Sequence, residues 1–382
     1  MPPVLRTLAP AALLIAAWIA TDLIADDSLS DLPLYAVYGN AVLDGQVPYR
    51  DFAVEYPPLA LVPMVLAALG PASWFEPTFS ILMLGCALLA QHEVRRFAGA
   101  GPAYALAALP LAIGAVAMER FDLLPAALML LGLRLALLDH RVRWGMAVLG
   151  LATATKLFPA LAVLALAIWL PRRQARDGVL IAAATAAAVC LPFLALAPNG
   201  FTDQARFHLE RPVQIESTPA VVARAMGGAR VTGTPENPDR FRSQGLEDGA
   251  TEGIALLCLG AMLVAIAVAL RRPPLTAAFA CVLALVAFGK VLSPQFLLWL
   301  APLAAAAWGP GRRTAAGLVA AAVVLTQIEF PHHYWDLVAG DPFARSLAGA
   351  RDVALLTALA ALLSTRRPAL GNAESQVPRL VS

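Results

Sequence analysis

Charge is scarce in this sequence. Asp, Glu, Lys and Arg make up 14% of its 382 residues, against roughly 25% in soluble domains. Lysine is almost missing, with Lys156 and Lys290 the only two. These shortages argue against a soluble domain, and 59% hydrophobic residues point to a polytopic membrane protein. No basic tract interleaved with aromatics occurs, which argues against nucleic acid as a partner. There is no Gly-rich phosphate loop, Walker motif or G-x-S-x-G, so nucleotide chemistry has no support. Cys86, Cys190, Cys258 and Cys281 each sit inside an apolar run without metal-ligand spacing, and read as small buried hydrophobes. The His332–His333 pair has no acidic partner at zinc-site spacing. No metal and no cofactor are expected. Internal repeats, low-complexity segments and a separate soluble domain are absent too.

What is present is a series of apolar runs. A crossing helix needs about 20 apolar residues. Candidates lie near 8–25, 74–94, 101–118, 121–139, 144–156, 157–171, 179–197, 251–270, 274–289, 293–308, 314–329 and 345–364. The first run imitates a signal peptide, but no small-x-small cleavage site follows it, so it reads as a retained span. The run 57–70, "PPLALVPMVLAALG", is ambiguous by length. Basic residues in short loops mark the cytoplasm, and six arginine clusters test the alternatives. They are Arg95–Arg96, Arg141 with Arg143, Arg172–Arg173 with Arg176, Arg271–Arg272, Arg312–Arg313 and Arg366–Arg367. If 57–70 does not cross, all six share the side of Arg6 and the N-terminus; if it crosses, all six flip. The expectation is an all-α polytopic protein of roughly twelve transmembrane helices, both termini cytoplasmic, with 57–70 interfacial or re-entrant. It forms one integral membrane domain, 1–382. Residues 26–73 are an outer loop with its interfacial segment, 198–250 a long outer loop, and 368–382 a cytoplasmic tail.

The unusual polar chemistry falls on the outer side. Lys156 in "ATATKLFPAL" and Lys290 in "AFGKVLSPQF" are lone cations at breaks between short apolar halves, each with a Pro three or four residues on. Ionisable groups at membrane depth are costly, and therefore candidates for function; each is equally a helix-capping Lys that snorkels to water. Two cations on one face suit an anion such as a phosphate. The first outer loop carries Asp22, Asp26, Asp27, Asp31, Asp44, Asp51 and Glu55. A carboxylate beside a hydroxyl serves as a general base, but Asp31 precedes the helical pattern "LPLYAVYGNAVL" and is equally an N-cap. In "RFHLERPVQIESTPA", His208 and Arg211 share a face if the segment is helical; the alternative is an amphipathic helix on lipid headgroups.

"SDLPLYAVYGNAVLDGQVPYRDFAVEYPPLAL" resembles the first outer loop of bacterial polyprenyl-phosphate-mannose-dependent mannosyltransferases, glycosyltransferase family 87, in the GT-C class of membrane glycosyltransferases. The likeness rests on Asp31, Tyr35, Gly45, Pro48, Tyr49, Tyr56, Pro57 and Pro58. "ERFDLLPAALMLLGL" resembles the family's Arg-x-Asp turn at Arg120 and Asp122. "ATKLFPALAVLAL" resembles its Lys-x-x-Pro break at Lys156 and Pro159, and "FHLERPVQIESTPA" its His/Arg/Glu-Ser loop. "KVLSPQFLLWLAPL" is similar to its Ser-x-Gln-aromatic-x-x-Trp stretch, here Ser293, Gln295, Phe296 and Trp299. The resemblance covers roughly residues 20–305 and implies a GT-C-type bundle in a bacterial plasma membrane. It also implies a polyprenyl-phosphate-sugar donor, with mannose or another sugar, and inverting transfer on the extracytoplasmic face. An Asp in the first outer loop is the base that the resemblance implies, at Asp31. Many GT-C enzymes carry a closely spaced acid pair there, whereas this chain has Asp26–Asp27 and then a separate Asp31.

A polyprenyl phosphate is already a good leaving group, so the chemistry needs a base for the acceptor hydroxyl and cations for the phosphate. The expected base is Asp31, with Asp51 next. Lys290, Arg211, Lys156, Arg120, His208 and Gln295 are expected around the donor phosphate and sugar, and Tyr35, Tyr49, Glu55, Tyr56 and Glu216 along the sugar sites. The acceptor class is a glycolipid or glycan of the cell envelope, and membrane lipid is a further partner. A transporter or flippase of a lipid-linked or small polar substrate is the alternative; the bare inner loops and missing repeat argue against it.

Overall fold

The computed structural model describes residues 3–24, 29–227, 231–232, 244–246 and 248–365. Asp26, Asp27, Arg366, Arg367, the tail 368–382 and part of the loop 198–250 lie outside the described residues, as does the side chain of Arg6. The fold is α-helical. Pro3–Asp22 forms α1, and Leu32–Leu43 forms α2 at the head of the polar stretch. A 3-10 turn at Pro58–Ala60 then leads into α3, Leu61–Ala68. At 1.5 Å per residue, α3 is ~12 Å long, well short of a ~30 Å hydrocarbon core. It packs on α2, where Gly39 lets the two backbones meet: a Cβ there would lie 2.4 Å from the Met64 carbonyl oxygen.

Phe75–Ala98 forms the long α4. The expected span 101–118 is not one helix. It is broken into α5 (Ala100–Leu106), α6 (Leu109–Ile113) and α7 (Val116–Glu119). Pro110 lacks a backbone donor for a continuous helix, and Gly114 takes a φ of +62°, a left-handed conformation that suits glycine. The Gln327 amide lies against Gly114, and a Cβ there would have to displace it. Next come α8 (Leu123–Leu137), α9 (Val142–Thr155), α10 (Ala160–Trp169) and α11 (Arg172–Leu196). The α9–α10 break falls at Lys156, whose backbone is extended, and Pro159 opens the next helix.

The amphipathic α12 (Pro198–Glu210) follows, with α13 (Thr218–Ala225) beyond it. Three two-residue strands, β1 (Val213–Gln214), β2 (Val231–Thr232) and β3 (Gly245–Leu246), form a small antiparallel sheet in the order β1-β3-β2, with Val213 and Val231 both opposite Leu246. The chain closes with α14 (Gly249–Ala269), α15 (Pro274–Phe288), α16 (Leu297–Ala306), α17 (Arg313–Glu329), α18 (Tyr334–Ala339) and α19 (Pro342–Ser364). Between α15 and α16 lies the second lone-lysine break, Gly289–Ser293, followed by a 3-10 turn at Pro294–Phe296.

Four of the described helices, α4, α11, α14 and α19, are long and apolar enough to cross a membrane; seven others are shorter apolar helices. Leu256, Leu257, Leu263 and Val264 of α14, and Leu180, Leu191 and Leu196 of α11, are largely exposed. So broad an apolar surface belongs in hydrocarbon. The chain is a polytopic α-helical membrane protein. Its core runs through α8, α15 and α16, where Phe279, Met129 and Leu300 are fully buried. At one end, Arg272 donates to the carbonyls of Leu363 and Thr365, and Gly311 lies beside Thr365. Beside α4 and α8, Arg134 pairs with Glu93 and Asp139, and Arg96 stands 3.6 Å from Asp139.

Candidate active site

Asp31 occupies the N-cap position of α2, yet its side chain makes no capping hydrogen bond. The Ser30 hydroxyl takes the Leu32 N–H instead, at 3.1 Å. The Asp31 carboxylate faces Arg120, with Nε 3.2 Å from Oδ2. The aspartate stays 20% exposed while the arginine is 6% exposed, so the pair presents its acid to the open side. Arg120 sits in extended backbone between α7 and α8. Its Nη2 donates to the Leu29 carbonyl at 2.7 Å, and its buried Nη1 has no acceptor among the described residues.

Two residues on, Asp122 repeats the pattern. It holds the N-cap position of α8 but makes no cap bond. Its Oδ1 accepts from Lys156 Nζ and from Trp299 Nε1, both at 2.6 Å. One carboxylate thus ties the α9–α10 break to the start of α16. The Lys156 ammonium also stands 4.8 Å from the Phe121 ring centroid, 5.1 Å from Trp299, 5.6 Å from Phe296 and 5.7 Å from Tyr56. Aromatic faces favour such a cation when water is excluded. Trp299 is itself stacked between Phe158 and Phe296. Tyr35 is fully buried, its ring against Phe79, Phe121 and Tyr56, and Tyr56 packs on Phe121. The two ion pairs therefore belong to one site, bridged by aromatics.

Over this site runs α12. Gly200, in its first turn, lies so close to Tyr49 that a Cβ would fall 1.6 Å from the Tyr49 carbonyl oxygen. Tyr49 takes a φ of +67°, donates its hydroxyl to the Tyr56 carbonyl at 2.6 Å, and packs on Phe193 and Phe201. Gln204 and His208, one helical turn apart, both meet the Glu55 carbonyl, at 3.3 and 2.8 Å. Burial lowers the His208 pKa from its ordinary value near 6.5, with Arg211, Lys156 and Lys290 adding to the effect, and the Glu55 contact opposing it. At the far end, Lys290 Nζ donates to the carbonyls of Leu209 and Arg211, both at 2.7 Å. Lys290 therefore satisfies the orphan carbonyls of a helix C-terminus, and Arg211 is the C-cap residue.

Two expected site residues, Asp51 and Glu216, are placed differently. Asp51 closes its own turn: Oδ2 accepts the Val47 N–H at 2.7 Å, and Arg50 holds the carboxylate at 2.9 Å. The Arg50 guanidinium, then the Val47 N–H, pull its pKa down to about 2. A depressed carboxylate stabilises the fold above the unfolded value near 4 and loses that contribution as pH falls toward 2. Asp51→Asn is therefore expected to lower unfolding resistance slightly at pH 5–8, with the difference from the parent chain vanishing in strong acid. A pH series of thermal unfolding checks this; a gap that widens below pH 4 would be the wrong sign. Glu216 is 1% exposed and lies in a separate buried knot with Glu329, Arg351 and Asp352, so it lines no open sugar site. Gln295 is half-buried on the turn between Lys290 and Trp299.

No curated protein matches the chain. Among solved structures it is similar to two crystal structures of ArnT from Cupriavidus metallidurans. One, bound to undecaprenyl phosphate, shares 15% identity over 95% of this chain and 77% of that chain, with a TM-score of 0.44. The other, in the apo state, shares 13% identity over 94% of this chain and 76% of that chain, with a TM-score of 0.46. The model of glycosyltransferase family 87 matches residues 54–294. That range begins after Asp31 and contains Arg120, Asp122, Lys156, His208, Arg211 and Lys290. It spans well over half of the sequence, and the chain belongs to glycosyltransferase family 87.

Proposed function

We propose that this glycosyltransferase moves a mannosyl or related sugar from a polyprenyl phosphate to a hydroxyl of a cell-envelope glycolipid or glycan. Transfer takes place on the extracytoplasmic face of a bacterial plasma membrane and inverts the anomeric centre. The observation that carries the reading is the Asp31–Arg120 pair: an N-cap aspartate turned away from its helix onto a buried arginine whose Nη1 has no acceptor among the described residues. Asp31 takes the acceptor proton as the hydroxyl attacks the anomeric carbon, and the C–O bond to the phosphate breaks on the opposite face. Arg120 keeps Asp31 ionised when a phosphate arrives. Its Nη1 supplies a fixed donor for the departing charge.

Among the other cations, Lys156 is neutralised by Asp122, and two of the three Lys290 protons are engaged by carbonyls. Their part is to position: Lys156 fixes the aromatic wall, and Lys290 fixes the end of α12. Arg211 and His208 on that end complete the donor side. Tyr35, Tyr49, Glu55 and Tyr56 shape the floor beneath α12. Asp51 is a turn residue in this reading, so Asp51→Asn retains transfer within about threefold, inside the range of a surface change.

The reading is tested by incubating membranes that contain the protein with labelled polyprenyl-phosphate-mannose and identifying the labelled product. The expected product is a glycolipid or glycan carrying mannose of inverted anomeric configuration. Retained configuration, or label moved across the membrane without transfer, would sink it; the second outcome favours the transporter alternative.

A further inference from the structure

The buried knot around Arg351 has no part in the chemistry above. Arg351, on α19, is fully buried. Its Nε lies 3.0 Å from Asp352 Oδ1, its Nη1 lies 3.2 Å from Glu329 Oε2 at the end of α17, and its Nη2 donates to the Glu216 backbone carbonyl. Glu216 Oε2 accepts from Gln214 Nε2 at 2.8 Å. The side chains of Glu216 and Glu329 are within hydrogen-bonding reach of each other, and the Oε1 of each has no donor among the described residues. His333 and Tyr334 lie close enough to the knot to feel its charge, and Arg211 lies within electrostatic range of Tyr334.

Three carboxyl groups here are buried around one guanidinium, which pairs with two of them, and none of the three is more than 4% exposed. Fully ionised, the knot would carry two uncompensated negative charges out of reach of water. Two touching carboxylates in such a place do not both ionise; they share a proton. A hydrogen bond between two carboxyl groups also requires that proton, because ionised carboxylates only accept. Burial pushes the Glu216 carboxyl up from its ordinary range, with Glu329 adding to the effect. Among the described residues, no group of three His, Cys, Asp or Glu side chains has the geometry to hold a metal ion.

We propose that Glu216 and Glu329 hold one proton between them, and that this pair with Arg351 is a clamp that positions segment 211–217 beside the active site. The connections run in both directions from Gln214. Its N–H donates to the Lys290 carbonyl at 2.8 Å, its side-chain oxygen accepts from Ser293 at 3.2 Å, and its own carbonyl accepts from Ser217 Oγ at 2.6 Å. Lys290 in turn holds the carbonyls of Leu209 and Arg211. With the proton in place, the segment is stitched to the α15–α16 break on one side and to α19 on the other. Loss of the proton to solvent sets two carboxylates against each other and pushes Glu216, with Gln214, off that seat. The consequence for Arg211 and His208 rests on the donor-phosphate reading above; the bound proton does not.

The proton is read by infrared spectroscopy of the purified protein in lipid nanodiscs across a pH series. The parent chain shows a protonated-carboxyl band at neutral pH that disappears in alkali, and both Glu329→Gln and Glu216→Gln lack it. No band in the parent chain, or a band that persists in both variants, overturns the proposal; where one variant fails to fold, the other carries the test. The clamp is read by equilibrium binding of a polyprenyl phosphate over the same series. Parent affinity falls about tenfold as the band disappears, a typical coupling between linked sites. In Glu329→Gln, whose amide donates the same hydrogen bond at every pH, affinity stays flat. Parallel falls in both proteins overturn the positioning role. Absence of binding at every pH overturns the donor reading and the positioning role with it, while the infrared band still decides the proton.

Discussion

Asp31→Asn is expected to slow sugar transfer by about 10²–10⁴-fold, the usual contribution of a positioned general base, while leaving polyprenyl phosphate binding within a few-fold of the parent chain. Asparagine keeps the size and polarity of the side chain but cannot take a proton. The helix should not suffer, because Asp31 makes no cap bond that the substitution would remove. Arg120 keeps its bond to the Leu29 carbonyl at 2.7 Å and stays anchored. Rates and donor affinity measured on one preparation separate the two effects. Near-parental transfer would remove Asp31 from the chemistry. Equal losses of rate and affinity would make it a donor-binding residue instead.

The second large effect is on stability. Asp122→Asn strands the Lys156 ammonium among four aromatic rings with no anion, and breaking a buried ion pair from one side typically costs about 3–5 kcal/mol. Asp122 is 1% exposed and Lys156 15% exposed, so water relieves little of this. Lys156→Met alone strands the carboxylate and is expected to cost a similar amount. The double variant Asp122→Asn with Lys156→Met removes both charges, leaves an amide that still accepts from Trp299, and is expected to recover most of the loss. Unfolding of the four proteins in detergent forms the cycle. A double variant as unstable as the sum of the singles would mean that the pair contributes no coupling.

The sequence made the greasy helical architecture plain, because hydrophobic length and arginine placement are local signals. It also singled out Asp31, Arg120, Lys156 and Lys290 as unusual. Its reading of 101–118 as one span missed the break at Pro110 and Gly114, where the packing partner Gln327 lies more than two hundred residues away. The roles of the two lysines were illegible for the same reason. Their partners are Asp122 for Lys156 and two main-chain carbonyls for Lys290, and neither arrangement leaves a spacing pattern. Asp51 and Asp31 look alike in sequence; only the folded turn shows that the first is spent on Val47 and Arg50. Glu329, Arg351 and Asp352 gave no motif, since two of them lie on an apolar helix and the third ends another.

Almost every fastening of α12 ends on main chain. Gln204 and His208 grip a carbonyl of the first loop, Lys290 grips two carbonyls at the helix end, and Gly200 rests on the backbone of Tyr49. Such contacts do not care which side chain the gripped residue carries. Leu209, largely exposed, can thus be replaced without loosening the cover over the site. The burden of invariance falls on the gripping residues and on Gly200, where even alanine would collide.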